Sequence, residues 1–163
     1  MAESKTHKTL KQIALRWVQS VGCVAFACEM SFAYIGIVDV AGIKANGDIY
    51  IVEAKAFNSD MRSDMKFARR RPPKIDRIQN SSAIDFVYYI VADAVEIPDG
   101  FPDFIGVLDE SGRVRKRAIR RARPRTAQRT AHDFGRFARV CSWRAYGHVI
   151  RHEQEQLEFS IGG

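Results

Sequence analysis

No run of about 18 consecutive apolar residues occurs in this chain of 163 residues, so no segment reads as a transmembrane helix. Cysteine is scarce. Cys23, Cys28 and Cys141 are an odd set of three, which builds no disulfide framework. Met1 to Lys11 is polar and charged and lacks the apolar core of a secretion signal. Reduced thiols and a cytoplasmic setting are therefore the expectation, with Cys23 and Cys28 as small core residues. A Gly-rich phosphate loop, a nucleophile elbow and a dinucleotide fingerprint are all missing. Internal repeats and low-complexity linkers are missing too.

Acid is absent from one region. Between Arg113 and Arg129 there are nine basic residues and no acidic one. The chain as a whole has 26 basic and 19 acidic side chains, a net of +7. Residues 1–112 hold 13 basic and 15 acidic, a net of −2, and residues 113–163 hold 13 and 4, a net of +9. The excess thus belongs to the last third. Such asymmetry points to a polyanionic partner, nucleic acid before an acidic membrane surface. The length suits a single domain of about 100–200 residues. It divides into a core, 1–112, and an Arg-rich strand with a C-terminal helix, 113–163, packed on the same domain.

Hydrophobic periodicity places the elements. Leu10, Ile13, Ala14, Trp17, Val18 and Val21 follow a helical stripe over 6–21, with Ser4 or Thr6 to cap it and Gly22 to end it. Residues 23–28, 36–43 and 48–57 read as strands. Asn46-Gly47 reads as a two-residue hairpin turn, which sets Asp39 opposite Ala54 to within one residue. A charged helix over 60–71 stops at Pro72-Pro73, and a short helix follows near 74–80. Strands are expected at 85–92, 104–109 and 113–119, and a helix at 126–146. Residues beyond His152 are polar and expected to fray.

Charge inside the strands is the informative feature. Asp39 interrupts one apolar strand, and Glu53 and Lys55 interrupt the next. Glu53 and Lys55 are two apart and so share a face. A buried carboxylate is costly without a partner. One reading is an Asp–Lys ion pair on a solvated face. The other is a divalent-metal site, because Mg2+ takes oxygen ligands and is satisfied by two carboxylates, a backbone carbonyl and waters. A lysine beside it suits charge developing on a scissile phosphate.

Asp39 followed by a strand carrying Glu53-Ala54-Lys55 resembles the PD-(D/E)xK nuclease superfamily. Within it, the pattern over roughly 8–120 is most similar to the MmcB-type DNA repair proteins. The matching pieces are Glu29, Val38-Asp39-Val40, Val52-Glu53-Ala54-Lys55, the helix from Asp60 through Asp64 to Phe67, and the strands Phe86–Val91 and Phe104–Leu108. Val38 and the stretch Arg69–Lys74 depart from that family. The resemblance implies an α/β, restriction-endonuclease-like mixed sheet: a four-stranded core with a central β-hairpin flanked by helices, extended by the basic C-terminal region. It implies that Asp39 and Glu53, with the carbonyl of Ala54, hold Mg2+ or Mn2+. It implies that Lys55 is the catalytic lysine and Glu29 an auxiliary acid, with Asp64 and Lys66 lining the site. Junction-cutting members act as symmetric dimers, so a homodimer is an expectation as well.

The basic run is the second constellation. Arg113, Arg115 and Arg117 alternate and would share one strand face. Arg120, Arg121, Arg123 and Arg125 continue the run. Arginine suits bidentate phosphate contacts, and no base-reading motif accompanies it, so backbone recognition of DNA is expected. The sequence reads as a metal-dependent deoxyribonuclease in repair, recombination or mobile-element DNA processing. A non-catalytic nucleic-acid-binding protein that retains the same fold is the alternative.

Overall fold

The N-terminal stripe forms α1 (Lys5–Ser20) in the computed structural model, which describes residues 4–66, 71–121 and 126–141. The Ser4 side chain accepts the His7 N–H at 3.2 Å and caps the helix. Leu10, Ala14 and Val18 are buried against the sheet, and Gly22, at φ +91°, turns the chain out of the helix.

Six strands form one mixed sheet in the order β1-β2-β3-β4-β5-β6. They are β1 (Cys23–Phe32), β2 (Gly36–Lys44), β3 (Ile49–Lys55), β4 (Phe86–Val91), β5 (Ile105–Leu108) and β6 (Val114–Lys116). The first three pair antiparallel, β3-β4 and β4-β5 pair parallel, and β6 returns antiparallel. The crossover from β3 to β4 carries α2 (Asn58–Asp64) and α3 (Lys74–Gln79). Helix α1 lies across β1, β2 and β3. Residues 127–141 are helical. From this segment Phe137 is buried, Cys141 Sγ meets the Phe26 carbonyl at 3.4 Å, and Arg136 covers the Phe32 ring at 4.6 Å.

All seven residues of β3 are buried, as expected for a strand with neighbours on both sides and both faces covered. Its charged pair Glu53 and Lys55 therefore lies inside the protein.

The six strands are the six segments that the sequence pattern marks. The structure departs from the sequence expectations in three places. Strand β1 continues to Phe32, four residues past its expected end. The charged helix stops at Asp64, well short of 71. Finally, the central hairpin does not turn on two residues. Lys44 N–H donates to the Asp48 carbonyl at 2.9 Å and Gly47 N–H to the Lys44 carbonyl at 2.8 Å. The loop is thus the three residues 45–47, with Gly47 at φ +83° as its left-handed member. The Asn46 side chain accepts the Asp48 N–H at 3.0 Å and favours this form. The extra residue shifts the register by one. Val40 pairs with Val52, so continuing the ladder sets Asp39 opposite Glu53 rather than Ala54. Residues 142–146, expected as the end of the last helix, and the C-terminal residues expected to fray lie outside the described residues.

Candidate functional site

The corrected register matters because opposite residues of an antiparallel pair point to the same face. Asp39, Glu53 and Lys55 therefore face one side of the sheet. They line a cleft of about 580 Å3 with Ser4, His7, Ala54, Phe57, Ser59, Asp60, Ser63 and Lys74. The Ala54 N–H donates to Asp39 Oδ2 at 2.8 Å. This bond fixes the Asp39 carboxylate across the end of the β2-β3 ladder. His7 Nε2, on the first turn of α1, lies 3.4 Å from the same oxygen.

Glu53 is almost fully buried, at 1% exposure. Its Oε2 lies 2.7 Å from Lys74 Nζ and 3.9 Å from Lys55 Nζ. Its Oε1 is buried and has no hydrogen-bond partner among the described residues. Burial pushes this carboxyl from an ordinary 4.5 up to about 7. The Lys74 and Lys55 ammonium groups pull it down, and Asp39 and Asp64 push it further up.

Lys55 Nζ lies 2.7 Å from Asp64 Oδ2 and 5.4 Å above the Tyr89 ring. Burial works against its ammonium form. Asp64, Glu53 and Asp39 together outweigh burial and hold it above its ordinary value, so Lys55 is a cation. The Tyr89 hydroxyl donates to the same Asp64 oxygen at 2.8 Å. Burial, with Asp64 and Glu53 beside it, holds that phenol well above its ordinary range. Asp64 is therefore a positioning partner of Lys55, fed by a neutral donor behind it.

Other expected residues lie elsewhere. Glu29, at φ +50° in β1, is exposed and receives Lys11 Nζ at 2.7 Å; it is not among the residues lining the cleft. Lys66 is exposed just past α2 and does not line the cleft either. In the basic run, Arg113, Arg115 and Arg117 are exposed around β6, with Arg115 3.2 Å from Asp93. Arg120 pairs with Asp48 at 3.0 Å and with the fully buried Asp85 at 3.9 Å. Arg121 donates to the carbonyls of Ile78 and Gln79 at the end of α3 and stacks over Phe104 at 5.3 Å. These two arginines spend donors on the core instead of leaving them all for a partner. Arg123 and Arg125 lie outside the described residues.

Two contributors were not foreseen, His7 and Lys74. Lys74 follows Pro72-Pro73, which fix where α3 begins. Its Nζ also donates to the Ile37 carbonyl at 2.9 Å. The proline pair was legible as a helix stop, but the reach of the next residue back to β3 was not.

Among the described residues, no three His, Cys, Asp or Glu side chains gather as a ready ligand set. No helix of the described residues is long and apolar enough to cross a membrane.

No protein-family model matches the chain. No curated protein matches it either. Its fold is shared with a solved structure, SPO1766, a protein of unknown function from Silicibacter pomeroyi. The two chains are 19% identical, the match covers 88% of this chain and 91% of that one, and the TM-score is 0.66. A likeness at this identity shows the fold alone: a mixed α/β fold with a six-stranded mixed sheet flanked by helices.

Proposed function

We propose that this cleft is the active site of a metal-dependent deoxyribonuclease of the PD-(D/E)xK type, built on a restriction-endonuclease-like fold. The observation that carries the reading is the buried carboxylate Glu53, whose Oε1 has no partner, in one cleft with the Asp39 carboxylate and the Lys55 ammonium. A protein does not gain stability by burying an unsatisfied carboxylate oxygen. A hard divalent cation such as Mg2+ or Mn2+ would satisfy it. The donor set fits: Asp39 and Glu53 offer carboxylate oxygens, Ala54 lines the same cleft, and water fills the remainder of an octahedral shell. When bound, such a cation acidifies water and draws charge from a phosphodiester.

This chain's own residues do the rest. The Ala54 N–H holds Asp39 in place. Asp64 and Tyr89 hold Lys55 as a cation aimed at the cleft, where it offsets charge on a phosphate in the transition state. Exposed Arg113, Arg115 and Arg117 lie in and beside the edge strand β6, where they can meet a phosphate backbone without entering the core.

Lys74 supports a second reading. Its ammonium neutralises Glu53 at 2.7 Å, as a non-catalytic DNA-binding protein of the same fold would need. Incubation with duplex, single-stranded and branched DNA separates the two readings, in Mg2+, Mn2+ or EDTA. The nuclease reading expects metal-dependent cuts that Asp39→Asn and Lys55→Ala abolish while DNA binding persists. Cleavage unchanged in both variants would refute it. Salt-sensitive binding with no cut under any metal would establish the second reading.

A further inference from the structure

Helix α3 contributes to two cavities. Lys74 lines the cleft. Arg77, three residues on and so on the same helix face, lines a second cavity of about 470 Å3 with Tyr34, Pro72, Asn80 and Arg129. That volume lies within the range of about 300–1,000 Å3 typical of ligand sites. Both cations reach back to one stretch of chain. Lys74 Nζ donates to the Ile37 carbonyl at 2.9 Å, and Arg77 donates to the carbonyls of Tyr34 and Ile35. The two cavities are thus linked through α3, with Lys74 in the lining of one and Arg77 in the lining of the other.

Each cavity also carries an exposed aromatic. Tyr34 is 90% exposed and Phe57 is 55% exposed, and no other Phe, Tyr or Trp among the described residues is exposed. Tyr34 lines the second cavity and Phe57 the first. Tyr34 is held at φ +68°, a region that costs a non-glycine residue free energy and so marks a candidate functional position. Arg77 Nε is buried and has no partner among the described residues, a donor in want of an acceptor. The second wall cation, Arg129, donates to Ser82 at 3.1 Å.

Aromatic faces and guanidinium groups interleaved along one track are the chemistry of unpaired nucleic acid. In a duplex each base face is already covered by its neighbours, so an exposed ring gains nothing from it. A single strand offers bare faces to the rings and phosphates to the cations.

We propose that the track from the cleft over α3 into the second cavity binds a single strand of DNA. Bases stack on Phe57 and Tyr34, and phosphates lie along Lys74, Arg77 and Arg129. The assignment rests on the nuclease reading of the cleft and names its substrate as unpaired DNA.

The test is anisotropy of fluorescent oligonucleotides titrated with the full chain in EDTA, where no cleavage intervenes. Single-stranded DNA is expected to bind about ten-fold tighter than duplex at equal salt. Tyr34→Ala is expected to weaken the single strand about ten-fold and leave duplex unchanged, and Tyr34→Phe is expected to retain binding. Tyr34 is exposed, so the variant keeps its fold, which a thermal melt checks. Unchanged single-strand affinity in Tyr34→Ala, or duplex bound as tightly as single strand, overturns the proposal. So does tighter binding of the matching RNA. Tyr34-dependent binding without cleavage in Mg2+ or Mn2+ upholds the single-strand track and overturns the nuclease reading alone. Duplex cleavage indifferent to Tyr34→Ala does the reverse.

Discussion

Replacing Glu53 by Gln should make the metal-free protein more stable, and only once the pH has risen past the ordinary carboxyl range. Burial raises the folded carboxyl from 4.5 to about 7, so between those values the folded state holds a proton that the unfolded state has released. Stability must then fall as pH rises through this window and stay low above it. At about 1.36 kcal/mol per pH unit, the whole loss is about 3 kcal/mol. The glutamine side chain would be neutral at every pH. Its amide oxygen can still meet Lys74, which keeps its bond to the Ile37 carbonyl. Its NH2 would occupy the unpartnered Oε1 position at a cost of about 1 kcal/mol that does not vary with pH. The variant should therefore match the wild type, or fall slightly below it, near pH 4, and exceed it by about 2 kcal/mol near pH 8. For a chain of this size that advantage is roughly 4–8 °C in melting temperature. Lys55 and Tyr89 are held above their ordinary values of 10.5 and 10.0, so neither titrates within the window. Urea unfolding in EDTA, followed by Trp17, which packs 4.5 Å from Tyr88, reads the difference. Parallel stability profiles for the two proteins from pH 4 to pH 8 would refute the reasoning.

Other outcomes follow from the same geometry. Saturating Mn2+ at pH 8 should stabilise the wild type by about 2.7 kcal/mol at a hundred-fold excess over its dissociation constant, and Glu53→Gln should lose that gain; differential scanning fluorimetry measures both. Removing Arg113, Arg115 and Arg117 together should lower the salt dependence of DNA binding by about 2–3 in log–log slope, as read from titrations at several salt concentrations. Arg121→Ala should leave that slope unchanged and cost about 2 kcal/mol of stability in urea, because it strips two carbonyls at the end of α3 of a charged donor. Gly106→Ala should cost about 1–3 kcal/mol by overpacking: the new Cβ would run into the Tyr88 ring and stand 2.6 Å from the Ala118 nitrogen.

Local pattern made the elements legible. The stripe of α1 and the charges inside β2 and β3 are periodic signals, and they found the helix, the hairpin and the three residues Asp39, Glu53 and Lys55. What the sequence hid was long-range. Asp64 was placed on the helix after β3, but its bond to Lys55 depends on where α2 packs. His7 and Lys74 reach the cleft only because α1 crosses the sheet and α3 lies over its end. Arg120 and Arg121 read as two more charges in a basic run. Their partners Asp48, Asp85, Ile78 and Gln79 come from distant segments, so no local rule could separate them from Arg113, Arg115 and Arg117. Asn46-Gly47 misled by one residue because the same dipeptide suits both a two-residue turn and the end of a three-residue loop.

That loop has a consequence for how the chain can change. Ala45 and Asn46 are exposed and lie at the end of the hairpin remote from Asp39 and Glu53. Substitution at Ala45 is cheap, whereas Asn46 accepts the Asp48 N–H. Removing Ala45 would leave Asn46-Gly47 as a two-residue turn between the same closing pair, Lys44 and Asp48. The pairs of the β2-β3 ladder would then keep their partners, and Asp39 would stay opposite Glu53. A change inside either strand is different, because a single step of register turns every side chain beyond it to the other face. The chemistry of the cleft thus tolerates a shorter loop and depends on the unbroken ladder from Val40 to Ile43.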